Sequence, residues 1–393
     1  HLMIDVAAVR ADTPGVANVD HFNNAGASLV SRPVYETVAL ILKEEYLGGG
    51  YETARAHDID LEAVYTSLAS LVGGSVDEIA VVENATVAWQ HAFYGMRFQP
   101  GDQVLTTTSE YGANFVAYLQ MAERRGIAVN VVPDTPAGEI DVGALAAMIT
   151  ERTKLISINH MPTSNGLVNP AADVGRVARA AGVPFLLDAC QTLGQMPVDV
   201  GEIGCDMLTG TSRKFLRGPR GVGFLWVRQS MLDRLEPIVL DHHAAEWTGR
   251  STYELAAGAR RFENWETMIA AKIGFGAAVD YALDLGLDSI WERNSYLASE
   301  LRSGLGDLDR VTLHDRGAVQ GAIVMFDVDG VDPVSVRDVL YDQGINVSYS
   351  TRDSSVVDFD RRGVQSLVRA SVHYFNTEDE IARLVQAVAG LVR

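Results

Sequence analysis

The feature that most restricts this chain is the alternation of short apolar runs with amphipathic stretches. Gln103–Thr106, Ala128–Val132, Leu155–Asn159, Pro184–Ala189 and Val222–Val227 are separated by helical patterns such as Asn114–Arg125 and Ala172–Ala180. Continuous apolar strands between amphipathic helices specify a parallel sheet buried on both faces. Upstream, "SRPVYETVALILKEEYLGGG" (31–50) reads as a helix with Ser31 at its cap, Pro33 in the first turn and an apolar stripe of Val34, Val38, Ile41 and Leu42. From about Ser251 the character changes. A long helix over Met268–Leu285 precedes "GAIVMFDVDGVDPVSVRDVLYDQGINVSYS" (321–350), a strand–helix–strand unit of α+β type. The expected architecture is α/β in three parts: an N-terminal arm at 1–25, a large domain with a mostly parallel central sheet at 26–255, and a small C-terminal α+β domain at 256–393.

With 393 residues the chain exceeds the usual size of one hydrophobic core. Its net charge of −19 argues against nucleic acid or an anionic membrane surface as partner. No apolar run reaches the ~18 residues that a membrane span requires. No signal-peptide pattern opens the chain, and the leading "HLM" is set aside as a cloning remnant around the initiating methionine. Two cysteines, Cys190 and Cys205, cannot make a disulfide framework, which fits a reducing compartment. The expectation is a soluble cytoplasmic protein.

Ligands of open α/β sheets bind beyond the carboxyl ends of the strands. There "LLDACQ" delivers Asp188, Cys190 and Gln191; "ISINHMPTSNG" delivers Thr163; "DMLTGTSRK" delivers Thr211, Arg213 and Lys214. "VVENATVAW" sets Ala85 and Thr86 at a helix start, where free N–H groups favour an anion, and "TTSEYGAN" presents the Tyr111 ring. An acid, a lysine, an aromatic ring and an anion cradle on one sheet edge match the needs of pyridoxal 5'-phosphate. Its aldehyde requires a lysine, its pyridine nitrogen a carboxylate, its ring a stacking partner and its phosphate N–H groups, hydroxyls and a cation. Arg213, Arg217 and Arg220 around Lys214 are read as neutralising the phosphate and depressing the lysine pKa.

The chain resembles the class V aminotransferase family of fold-type I pyridoxal-phosphate enzymes. The resemblance rests on "FNNAGASL" (22–29), "NATVAW" (84–89), "SEYGAN" (109–114), "PTSNGLVNP" (162–170), "LDACQTLGQMPVDV" (187–200), "GTSRKFLRGPRGVGFLWV" (210–227), "RRFENWE" (260–266) and "RASVHYFNTEDEI" (369–381). That family includes cysteine desulfurases, isopenicillin N epimerase and carbon–sulfur lyases of the ergothioneine and lincosamide type.

The resemblance implies Lys214 as the Schiff-base lysine and Asp188 as the pyridinium partner. It implies Gln191, with Thr163, at the ring hydroxyl, Tyr111 stacked on the ring, and Ala85, Thr86, Thr211 and Arg213 around the phosphate. Asn264 or Trp265 would approach the phosphate of the neighbouring subunit of a homodimer with shared sites. Arg369 would pair with the α-carboxylate of a small-molecule amino acid substrate, and Asn24 with the backbone near Ala25–Gly26 would line the substrate side. No metal site is expected, since His242, His243 and His373 lack ligand spacing with partners and read as surface or substrate-side residues. Cys190 reads as a small hydrophobe behind the cofactor, and Asp358, Asp360, Arg361 and Arg362 as a solvated charge run.

Desulfurases of the family carry a mobile cysteine before the carboxylate-binding arginine. The corresponding segment here, "SYSTRDSSVVDFDRRGVQ" (348–365), has none. From this the expectation is against a persulfide-forming desulfurase. The favoured reaction is β-elimination from an S-conjugated cysteine in secondary metabolism, motivated also by "GGGYETA" and "RRFENWE". An aminotransferase, an epimerase, a decarboxylating oxidative deaminase and a non-catalytic cofactor-binding member stand as alternatives.

Overall fold

The computed structural model describes residues 3–391, so His1 and Leu2 of the leading "HLM" lie outside the described residues. Its centre is a seven-stranded sheet of β1 (Ile79–Val82), β2 (Gln103–Thr107), β3 (Ala128–Val132), β4 (Thr153–Asn159), β5 (Phe185–Asp188), β6 (Met207–Thr211) and β7 (Gly223–Val227), in the spatial order β1-β7-β6-β5-β4-β2-β3. The block from β3 to β6 is parallel throughout. Every residue of β5, β6 and β7 is buried, which is why these strands read as unbroken apolar runs rather than as alternation.

One strand runs against the expected direction. β7 is antiparallel to both β6 and β1. A parallel return needs a crossover of a dozen or more residues, usually a helix, and the loop from Ser212 to Val222 that carries Lys214 is too short for one. The sharp turn that reverses the strand is thus the segment that presents the lysine.

A second, antiparallel sheet follows: β8 (Val311–Leu313), β9 (Ile323–Val328), β10 (Ser348–Thr351) and β11 (Ser366–Ser371), in the order β8-β9-β11-β10. Asp20–His21 from the start of the chain pair in parallel with Ile345–Asn346, and Asn23 bridges to Ser371. The early residues are therefore built onto this late unit. The helix Ile269–Leu285 packs the other way. Its Phe275, Val279 and Ala282 share an apolar cluster with Leu68, Phe224 and Trp226 of the seven-stranded part.

The core of the four-stranded sheet reaches the lysine loop. Phe215, 1% exposed, belongs to the cluster of Phe22, Ile323, Met325 and Val368. Burying such a ring is worth about 1.5–3 kcal/mol, so the residue after Lys214 is pinned by a core that its own sheet does not own. Among the described residues no helix is long and apolar enough to cross a membrane.

Candidate active site

The carboxyl ends of β2, β4, β5 and β6 converge on one edge of the large sheet, together with α1 (Ala85–Tyr94), which follows β1, and α2 (Gly112–Arg125), which follows β2. A cavity of about 360 Å³ lies there. Ala85, Thr86, Tyr111, Thr163, Asp188, Gln191, Thr211, Arg213 and Lys214 all line it, as do Cys190 and Asn114.

At one end, Asn84 caps α1. Its side chain accepts the Val87 N–H at 2.9 Å, which leaves the N–H groups of Ala85 and Thr86 at the mouth of the helix. Free N–H groups and the positive end of the helix dipole favour an anion there. Gly223 permits the close approach of β7 to this helix, because a Cβ at that position would lie 2.8 Å from the Ala85 nitrogen. The Arg213 guanidinium donates to the Thr211 hydroxyl at 3.2 Å, bringing a cation and a hydroxyl to the same end.

At the other end, Asp188 closes β5. One carboxylate oxygen accepts the Cys190 N–H at 3.0 Å and the other the Asn114 amide at 3.0 Å. Gln191 donates to the Ala25 carbonyl at 3.1 Å and to the Thr163 hydroxyl at 3.2 Å, while its Oε1 is buried without a partner. Lys214 projects from the wall. Burial is the largest cause pushing its amine down to about 8; Arg213 and Arg369 push the same way and Asp188 opposes. Cys190 sits beside them, and burial followed by the Asp188 charge raises its thiol well above its ordinary value. A thiol so placed stays protonated and is a poor nucleophile.

Several contacts clamp the lysine loop. The Arg213 carbonyl accepts the Ser28 N–H at 2.9 Å, and the Phe215 carbonyl accepts from His373 Nε2 at 2.7 Å. Arg217 does not reach the cavity, contrary to its expected phosphate role. It is 2% exposed, donates to Leu29 O (2.8 Å), Tyr374 Oη (2.8 Å) and Thr13 Oγ1 (2.6 Å), and lies over the rings of Tyr374 and Phe375. It also holds φ at 59°, a left-handed conformation that costs a non-glycine residue about 1–3 kcal/mol unless its surroundings impose it. Of the expected extra cations only Arg220 lines the cavity.

An open chamber of about 620 Å³ adjoins the first and shares Thr86, Tyr111 and Thr163 with it. Arg369 on β11 lines this chamber, with Tyr349, Ser350, Thr351 and Asp353 opposite the aromatic ring. Burial lowers the Arg369 guanidinium to about 10, which still leaves it cationic at neutral pH, and its Nε is buried without a partner.

Four expected site residues stand apart. Asn24 is spent within the fold, donating to Ser371 O at 2.8 Å and His21 O at 3.3 Å and accepting the Ser28 hydroxyl at 2.7 Å, while the Ala25 carbonyl, next to Gly26, meets the cavity residue Gln191. Asn264 donates to Glu83, which lines the cavity rim, at 3.2 Å, and Trp265 is 53% exposed and stacks on His242. His373, expected at the surface or substrate side, is fully buried. Asp358, expected in a solvated run, is buried and paired with Arg362 at 2.5 Å. His373 belongs to a contact across the fold that a linear pattern does not show, whereas Asp358 and Arg362 are an i,i+4 pair on one short helix. Sequence reasoning also missed Glu110, a 2%-exposed carboxyl beside the cavity. Its signal was the spacing of Glu110 and Asn114, four apart across the first turn of α2.

The residues fit pyridoxal phosphate. A buried Gln191 oxygen lacks a partner, a helix mouth and an arginine face one end of the cavity, a carboxylate closes the other, and an amine of lowered pKa stands between them.

Comparison with known proteins agrees. The model of the family "Aminotransferase class-V" matches residues 21–384. A probable cysteine desulfurase of Halobacterium salinarum is 30% identical, with 98% of this chain and 96% of that protein covered. One of Methanothermobacter thermautotrophicus is 27% identical, with 98% of each covered. The apo structure of the cysteine desulfurase from Thermococcus onnurineus NA1 superposes with a TM-score of 0.92 at 25% identity, covering 100% of this chain and 99% of that one. The cystine C–S lyase C-DES, solved with its product cysteine persulfide, shares the fold at a TM-score of 0.87 and 22% identity, covering 96% of this chain and 99% of that one.

These relatives overturn the expected reaction. β-Elimination from an S-conjugated cysteine was favoured over a persulfide-forming desulfurase because residues 348–365 hold no cysteine, yet relatives matching almost the whole chain are named cysteine desulfurases. The missing thiol was given too much weight. Weakening the bonds around Cα depends on the cofactor site and the carboxylate site, and a sulfur acceptor need not belong to the same polypeptide. The full-length family match, laid over a cavity with lysine, carboxylate and anion cradle in place, makes the conclusion direct: this chain is a pyridoxal-phosphate-dependent enzyme belonging to the class-V aminotransferases.

Proposed function

We propose that this enzyme removes sulfur from cysteine. The observation that carries the reading is the match over 98% of the chain to relatives named cysteine desulfurases, over a site that keeps Lys214, Asp188 and Arg369. Pyridoxal phosphate, when bound, supplies an electron sink that weakens the bonds at the substrate Cα. The protein residues do the rest. Arg369 takes the substrate carboxylate with a planar fork of donors suited to it. Lys214, whose free amine is accessible near neutral pH, carries a proton to and from Cα. Asp188 holds the ring-nitrogen end, and the mouth of α1 with Thr211 and Arg213 holds the phosphate.

The sulfur acceptor in this reading comes from outside. Both cysteines of the chain are free; Cys205 is buried and Cys190 lies on the cofactor side with a protonated thiol, while the chamber of Arg369 is lined by no cysteine among the described residues. The balance is one cysteine plus one thiol giving one alanine plus one persulfide. The bond from Cβ to sulfur breaks, the sulfur joins the acceptor sulfur, and Cβ gains a proton.

The test is incubation of the cofactor-loaded enzyme with cysteine, with and without added dithiothreitol, following alanine, sulfide and pyruvate. Alanine and sulfide formed in equal amounts, and dependent on the thiol, are expected. Pyruvate and ammonia in place of alanine would overturn the reading.

We also propose a homodimer in which Trp265 and Asn264 approach the partner's cavity. The hairpin Ala245–Gly249/Thr252–Leu255 is almost wholly exposed, with Trp247 at 78% and Tyr253 at 61%, and Trp265 and Met268 continue the apolar surface. Large rings gathered on a segment with little burial of its own mark an association surface. Sedimentation of the full chain is expected to show a dimer that Trp247→Glu dissociates; a wild-type monomer would end this proposal.

A further inference from the structure

Glu110 is a buried carboxyl joined through Asn114 to Asp188 that has no role in the chemistry above. It lies just beyond β2 and is 2% exposed. Oε1 accepts the Tyr111 N–H at 2.7 Å and the Asn114 amide at 3.1 Å; Oε2 accepts the Tyr118 hydroxyl at 2.9 Å and the Thr106 hydroxyl at 3.1 Å. The same Asn114 nitrogen donates to Asp188 at 3.0 Å. Its two hydrogens thus bridge two buried carboxyl groups.

The groups facing Glu110 can satisfy it in either protonation state. From α2 come Asn114 and Tyr118, from β2 Thr106, and from β5 Asp188, the nearest other acid. Among the described residues Glu110 is in no ion pair, and the Lys214 charge acts on Asp188 rather than on Glu110. The Tyr118 hydroxyl lies 2.9 Å from Glu110 and 2.6 Å from the Ser157 hydroxyl on β4. It can point at an ionised Glu110, or turn to Ser157 and receive a hydrogen bond from a protonated one. Burial and then the Asp188 charge raise the Glu110 carboxyl to about 7.

We propose that Glu110 is a positioning residue for the ring-nitrogen end of the cofactor: through Asn114 it orients Asp188, and it releases its proton to solvent when a protonated ring nitrogen is held against Asp188. The physical reason is charge. With Asp188 unpaired, two adjacent carboxylates repel, and Glu110 holds its proton. A cation at Asp188 removes that repulsion, and the Glu110 carboxylate then accepts all four donors. The inference rests on the cofactor and not on the desulfuration reading, so either stands if the other fails.

The test is the cofactor dissociation constant of the apoprotein, measured by absorbance titration from pH 6 to 8, for wild type and Glu110→Gln. Glutamine mimics the protonated acid and cannot titrate. The wild type is expected to gain about tenfold in affinity relative to the variant across that range, as a group of pKa near 7 implies. It is also expected to release roughly half a proton more on binding at pH 7, read by calorimetry in two buffers. A merely structural role weakens the variant by the same factor at every pH, and that flat ratio, or equal proton release, overturns the proposal. Should Glu110→Gln not fold, Tyr118→Phe removes one donor to the carboxylate and is expected to move the inflection of the affinity profile upward. An unmoved inflection counts against Glu110.

Discussion

The Arg369 guanidinium donates through one nitrogen to both oxygens of Thr163, 2.7 Å to the hydroxyl and 3.2 Å to the carbonyl. Arg369 stands on β11 of the four-stranded sheet and Thr163 on the loop after β4 of the seven-stranded one, so this contact ties the two sheets together at the site. The same hydroxyl accepts from Gln191 at 3.2 Å. Having accepted twice, it keeps its own hydrogen for a ligand oxygen. The unpartnered Nε of Arg369 is likewise left for a carboxylate.

Arg369→Lys is therefore expected to weaken amino acid binding by about 10- to 100-fold, the loss of a charged hydrogen bond with bidentate geometry. Cofactor affinity should stay within about twofold, because an ammonium can still reach Thr163. The change in cofactor absorbance on adding cysteine measures both. Unaltered substrate affinity would remove Arg369 from its role.

Lys214 at about 8 carries roughly a tenth of its population as free amine at pH 7. Capture of the cofactor by the apoprotein should accelerate with pH, inflect near 8 and level off above it. Lys214→Ala should lose that inflection and lower turnover by at least about a thousandfold. An inflection near 10.5 in the wild type would mean that burial does not lower this amine.

Arg217→Met keeps the stem of the side chain and removes three hydrogen bonds and a charge from a core of aromatic rings. Leu29 O, Thr13 Oγ1 and Tyr374 Oη each lose a charged donor. We expect a loss of about 2–4 kcal/mol in denaturant unfolding, and weaker cofactor retention because the guanidinium anchors the turn whose backbone N–H at residue 217 donates to the Lys214 carbonyl at 2.9 Å. Stability within about 0.5 kcal/mol of wild type would show the node to be dispensable.

Glu263 predicts an acid response. Burial alone raises its carboxyl, but His243, Lys272, the Tyr65 hydroxyl and the Val81 N–H outweigh burial and hold it below the ordinary value. A depressed folded pKa gives stability that is present above the unfolded value and lost as pH falls through the folded one. Unfolding free energy of the wild type should drop below about pH 4.5, and Glu263→Gln should be less stable at pH 7 by about 1–3 kcal/mol yet flatter across that acid window. Parallel curves for the two proteins would refute it.

Much of the site was legible because its residues follow strand ends that announce themselves by composition. Asp188, Thr211 and Lys214 come directly after buried apolar runs, and the helix start at Ala85 after a capping asparagine. What stayed hidden depends on contacts between distant segments. Arg217 looks like one more cation beside Lys214 until Thr13 and Tyr374 fold against it, 204 and 157 residues away. Glu110 looks like a loop acid until Asp188, 74 residues downstream of Asn114, arrives to share that amide. The direction of β7 was legible only through the length of the loop before it. The reaction was misread because an absent residue was treated as evidence about chemistry that other residues support.

The pairing of Asp20–His21 with Ile345–Asn346, and the bond from Asn24 to Ser371 across 347 residues, set an order of events during synthesis. The segment at 20–24 leaves the ribosome long before its partners at 345–371. Until those partners emerge, Phe22 and Ala25 have no core to enter, and the carbonyl that meets Gln191 has no fixed place. The cofactor cavity can thus be framed by the seven-stranded sheet partway through translation, but its final wall closes only when the strand Ser366–Ser371 is made. Contacts of such long range slow folding and expose apolar surface meanwhile. For this chain, competence to hold its cofactor is acquired only once the segment 345–371 has been made.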